Sequence, residues 1–77
     1  MRYELRPSEG SGDKVAEADL PDNVAAQIWA LEWARQNATE RSYILELSDG
    51  GFSMLVFRTD YGQWYAMPAA VGAEGGV

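Results

Sequence analysis

The sequence predicts an α+β domain: a single helix packed on an antiparallel sheet of four to five strands, in the order β(β)αβββ. Three observations carry this prediction. Short runs with apolar residues at every second position lie on both sides of one helical stretch. That stretch, opening at Pro21-Asp22, is rich in alanine and contains no Gly. Two Gly-containing turns, Asp49-Gly50-Gly51 and Asp60-Tyr61-Gly62, join the last three apolar runs into a meander. A lone helix must bury one side against such a sheet, which leaves the opposite face of the sheet to water or to a partner.

The elements follow in order. Tyr3 and Leu5 alternate with Arg2, Glu4 and Arg6, a half-buried strand that Pro7 ends. Ser8 to Asp13 is a loop by composition. From Lys14 to Leu20, Ala16, Ala18 and Leu20 alternate with Glu17 and Asp19, a weak second strand that would complete a hairpin with the first. Asp22 can cap the free amides of the helix that follows, and its charge suits a helix N-terminus. The helix runs to Asn37 or Ala38. Ser42 to Ser48 places Tyr43, Leu45 and Leu47 on one face and Ile44 and Glu46 on the other. Phe52 to Thr59 is apolar on both faces through Met54-Leu55-Val56-Phe57, as a central strand covered on both sides would be. Gln63 to Met67 sets Trp64 and Ala66 against Tyr65 and Met67, and Pro68 stops it. Residues 1–68 are expected to form the single domain. Residues 69–77, with three Gly, are expected to form a flexible C-terminal tail.

The helix carries two apolar stripes. Val24, Ile28, Leu31 and Ala38 form an aliphatic one that should meet the sheet. Trp29 and Trp33, spaced i and i+4, form an aromatic one roughly opposite. A single sheet layer cannot fully bury both. Either the helix is rotated, with Trp29 at the core margin and the N-terminal hairpin over Trp33, or the tryptophans are exposed for self-association or partner binding. Tyr65, on the outer face of the last strand, belongs with the same candidate contact residues.

Composition removes most chemistry. The 77 residues include no Cys and no His, and 12 acids face six bases for a formal charge of −6. Disulfides, thiolate metal sites and histidine-based catalysis are excluded. Asp13, Asp19 and Asp22 have no metal-loop spacing, and Ser11-Gly12-Asp13-Lys14 lacks the glycine pattern of a phosphate loop. We therefore expect no enzyme, no cofactor and no metal. With no basic stripe, direct nucleic-acid binding is disfavoured. No segment has signal-peptide or membrane-spanning character, so a cytoplasmic protein without membrane contact is expected. The acids crowd toward the N-terminal third, where Glu9, Asp13, Glu17, Asp19 and Asp22 could meet a basic protein surface by imitating phosphate spacing, with long-range attraction speeding association. The same charge would also simply keep a small protein soluble.

The layout is similar to that of small phage-encoded inhibitors of CRISPR–Cas complexes. The likeness rests on Met1-Arg2-Tyr3-Glu4-Leu5, on the helix opening Asp19-Leu20-Pro21-Asp22, and on Ser42 to Tyr65 with its two Gly turns. It is a likeness of architecture, not of motif. It implies a binding protein in the host bacterial cytosol that docks on a Cas protein or effector complex and blocks DNA binding or nuclease recruitment. The Leu20-Pro21-Asp22 opening also resembles small bacterial βαββ domains and antitoxins, which implies the alternative of a homodimeric interaction module.

Overall fold

In the computed structural model, which describes residues 1–9 and 13–68, one helix lies across a five-stranded antiparallel sheet. The strands are β1 (Arg2–Pro7), β2 (Ala16–Asp19), β3 (Ser42–Leu47), β4 (Ser53–Arg58) and β5 (Trp64–Pro68), and the helix α1 spans Asn23–Asn37. Their spatial order is β2-β1-β3-β4-β5. The expected strand at 14–20 is present, shortened to Ala16–Asp19. Both prolines expected to stop strands, Pro7 and Pro68, are instead the last residues of their strands. The expected tail, 69–77, lies outside the described residues.

Register sets what each face carries. Tyr3 stands opposite Ala18 and Leu47, and Leu5 opposite Ala16 and Leu45. Leu45 pairs in turn with Met54, and Tyr43 with Val56. Because side chains alternate along a strand, these residues share the face under the helix, and Tyr3, Leu5, Tyr43, Leu45 and Val56 are almost completely buried. Both turns of the meander place glycine in the left-handed region, Gly50 at φ 87° and Gly62 at φ 84°, where a Cβ would be strained. The Asp49 carboxylate accepts from Gly51 N–H at 2.9 Å, and Thr59 O accepts from Gly62 N–H at 2.9 Å.

Asp22 caps the helix as expected, its carboxylate accepting from Ala25 N–H at 2.9 Å. The rotation of the helix differs from the expected one. Ala26, Ala30 and Ala34, spaced i, i+4 and i+8, are the buried face, whereas Val24 and Ile28 are 64% and 60% exposed. Of the aliphatic stripe, Leu31 and Ala38 pack against the core. Packing explains this. The sheet presents large rings, Tyr3 and Tyr43, directly beneath the helix, and small residues opposite large ones fill the layer without voids. The tryptophans then fill the flanks. Trp33 meets Tyr43 edge to face at 5.4 Å, and Trp64 meets Tyr43 from the sheet side at 6.1 Å. The Tyr3 hydroxyl, at the far end of the core, donates to Asn23 Oδ1 at 2.6 Å. Burial, followed by the nearby charges of Asp22 and Asp49, raises its pKa above the ordinary 10.0.

Candidate functional site: the open face of the sheet

The side chains that alternate with the core residues form the opposite face, which no other described element covers. This face divides into two halves.

The half on β2 and β1 is a ladder of ion pairs. Arg2 lies 3.4 Å from Glu17, Arg6 bridges Glu4 at 3.3 Å and Glu46 at 3.2 Å, and Lys14 reaches Glu17 at 2.8 Å and Glu4 at 3.6 Å. The Met1 amine holds Asp19 at 3.0 Å. Hydrogen bonding to Lys14, then its charge, lowers the Glu17 pKa below 4.5, and Lys14 is raised above 10.5 in return. Asp19 is held below 3.8 first by its hydrogen bond to the terminal amine and then by that charge. Acids and bases here are nearly balanced, so this half carries little net charge.

The half on β3, β4 and β5 is apolar. Ile44 stands opposite Leu55, Leu55 opposite Met67, and Phe57 opposite Tyr65. The rings of Phe57 and Tyr65 are 6.1 Å apart and tilted by 38°. Tyr65 and Met67 remain 48% and 47% exposed, and Ile44, Leu55 and Phe57 are half-buried. The apolar run of β4 is thus covered on one side by the helix and left uncovered on the other. Strand pairing makes these five side chains contiguous, and contiguous apolar surface on a small protein marks a contact site more often than scattered residues do. Around it on the same face stand Ser42, Ser53 and Glu46, the last paired with Arg6. An apolar centre with a polar rim is the usual anatomy of a protein–protein interface.

The residues singled out in the sequence fall in different places. Tyr65 is on the open face. Trp29 and Trp33 are partly buried on the helix flanks, packed against the core, so the exposed apolar stripe of the helix is Val24 and Ile28 instead. Glu17 and Asp19 belong to the ion-pair ladder, and Asp22 caps the helix. Glu9 and Asp13 are exposed on either side of residues 10–12, which are not described. The acids singled out therefore do not form one surface. Four open-face residues of the apolar half, Ile44, Leu55, Phe57 and Met67, were absent from the sequence-based set, although the two-sided apolar run at Met54 to Phe57 already pointed to two of them.

Among the described residues, no group of three or more acids is placed to hold a metal ion, and no helix is long and apolar enough to cross a membrane. Comparison with protein families, with curated proteins and with solved structures finds no match to this chain.

Proposed function

We propose that this chain is a non-enzymatic binding protein whose contact surface is the apolar half of the open sheet face, and that its partner is a basic, nucleic-acid-handling protein. The observation that carries the reading is the contiguous patch of Ile44, Leu55, Phe57, Tyr65 and Met67, bordered on the same face by Ser42, Ser53 and Glu46. Apolar side chains that exclude water supply affinity, and the net charge of the chain favours a partner of opposite sign. With a formal charge of −6, approach to a basic surface is accelerated and approach to another acidic one is slowed. Together with the architectural resemblance to small phage-encoded CRISPR–Cas inhibitors, this supports an inhibitor that covers a nucleic-acid site on a Cas protein or effector complex.

The test is an electrophoretic assay of target-DNA binding by purified CRISPR–Cas effector complexes with the chain added. Inhibition is expected from the native protein, weakening as salt rises. It should be lost in Leu55→Asp and retained in Val24→Asp, which puts the same charge on the outer face of the helix. DNA binding unchanged in every complex tried would remove the inhibitor reading.

A second copy of the chain is the alternative occupant of the same patch. The near balance of charge on the ladder half favours it, because two copies can meet there without the repulsion their other surfaces would generate. Sedimentation decides this: a dimer mass that Leu55→Asp converts to a folded monomer supports it, and a monomer mass at micromolar concentration excludes it.

A further inference from the structure

The six basic side chains are divided into two groups. Arg2, Arg6 and Lys14 belong to the open-face ladder. The other three, Arg35, Arg41 and Arg58, all line one cleft at the far end of the molecule. They come from three elements: the last turn of α1, the segment before β3 and the end of β4. The cleft has a volume of about 300 Å³, and Glu40, Gly62 and Trp64 also line it. A neighbouring hollow of about 350 Å³ shares Arg35, Gly62 and Trp64 with it.

Local structure fixes this arrangement. The buried Tyr43 hydroxyl accepts from the backbone N–H of Thr39 at 2.8 Å and of Glu40 at 2.9 Å, which pins the chain just before Arg41. Arg58 N–H donates to Arg41 O at 2.9 Å, which sets the roots of two of the three arginines side by side. Pairing of Arg58 with Trp64 across β4 and β5 brings the indole beside them.

Charge accounting is unusual here. Arg41 is paired with Asp60 at 2.9 Å. Among the described residues, no carboxylate lies within ion-pair distance of Arg35 or Arg58. The chain has twice as many acids as bases, yet among the described residues neither Arg35 nor Arg58 is in an ion pair, and Glu40, which also lines the cleft, lies beyond that distance from both. The negative end of the helix offsets only about half a charge. A phosphate monoester carries about −1.5 to −2 at pH 7 and offers three acceptor oxygens, which matches two guanidiniums better than one carboxylate would.

We infer that this cleft binds a small phosphate monoester, with Arg35 and Arg58 clamping the phosphate, Arg41 beside them and Trp64 forming an apolar wall for the organic part. The site is separate from the open sheet face, and its occupancy does not depend on the function proposed for that face.

Titration of the ¹⁵N-labelled protein tests it, with adenosine monophosphate in one arm, inorganic phosphate in a second and sodium sulfate at matched ionic strength in a third. Saturable shifts are expected at the Trp64 indole N–H and the Gly62 amide, with a dissociation constant on the order of 1 mM or tighter for the nucleotide. A phosphate-only ligand would bind equally in the first two arms, whereas an apolar wall that contributes makes the nucleotide the tighter. Affinity should rise between about pH 5 and pH 7, as the phosphate loses its second proton while the arginines stay charged. Arg58→Gln and Arg35→Gln should each weaken binding by about tenfold, and both residues are exposed, so the fold should survive. Shifts absent from both phosphate arms, equal in the sulfate arm, or unchanged in the Arg35→Gln/Arg58→Gln double variant would overturn the inference.

Discussion

The two faces of the sheet are built from the same five strands, one residue out of phase, and they differ in what covers them. The covered face holds rings and branched side chains against three alanines of α1, and its central residues are fully buried. The open face holds salt bridges on one half and half-exposed apolar side chains on the other. Stability should therefore depend mostly on the covered face and binding mostly on the open one. An apolar residue on β4 is a core residue or an open-face residue according to the parity of its position: Met54 and Val56 are the former, Leu55 and Phe57 the latter.

Substitutions can break this comparison. The largest effect should come from Leu45→Ala at the centre of the covered face, which should cost about 2–5 kcal/mol by removing buried methyls and leaving a cavity. For a chain this short that is a large part of the total stability, and urea denaturation should show it unfolded or nearly so. Next, Ala30→Leu should cost about 1–3 kcal/mol, because the larger side chain would push the helix off the core it packs on. A Tm unchanged in that variant would mean that the alanine face is not the contact face. On the open side, Leu55→Ser should cost only about 1 kcal/mol, while partner or self-association should disappear. If it unfolds the protein as Leu45→Ala does, the two faces are not functionally distinct.

The smallest effect belongs to the ladder. The carboxylates of Glu17 and Asp19 have folded-state pKa values below the ordinary 4.5 and 3.8. Their contribution is therefore present above those ordinary values and is lost as pH falls through the lower, folded ones. Both are exposed and solvent-screened, so the loss is small. The Glu17→Gln/Asp19→Asn variant should flatten the acid end of a Tm-against-pH curve below pH 4.5 and leave the neutral region nearly unchanged. Added salt should shrink the difference further.

The strands, the turns and the helix ends were legible because their signals are local: alternation, a cap at Asp22, Gly50 and Gly62 at positions that need positive φ. The rotation of the helix was not legible. Val24, Ile28, Trp29, Leu31 and Trp33 spread apolar character around most of its circumference, so periodicity pointed to the aliphatic stripe, which is not the buried face. What chose the side was the depth available beneath it, set by Tyr3 and Tyr43 on strands distant in sequence. Ala26, Ala30 and Ala34 carried that information, but small residues read as good helix formers before they read as a contact surface. The open-face patch was half legible, since its members alternate along strands but become contiguous only through register. The arginine cleft was not legible at all, because its three arginines come from a helix, a loop and a strand end.

The order β2-β1-β3-β4-β5 has a consequence for how the chain comes together. β1 with β2, and β3 with β4 and β5, are sequence-local units, each zipped by nearby turns. Only the pairing of β1 with β3 spans the helix, from Tyr3 opposite Leu47 to Pro7 opposite Tyr43. That seam is the long-range closure whose loop entropy must be overcome before its contacts count. It is also the natural place to divide the polypeptide. Two fragments cut in the Thr39–Arg41 segment would each keep their own hairpins and reassemble along the β1–β3 seam and beneath the helix, which packs on β3 and β5, in the manner of a split reporter.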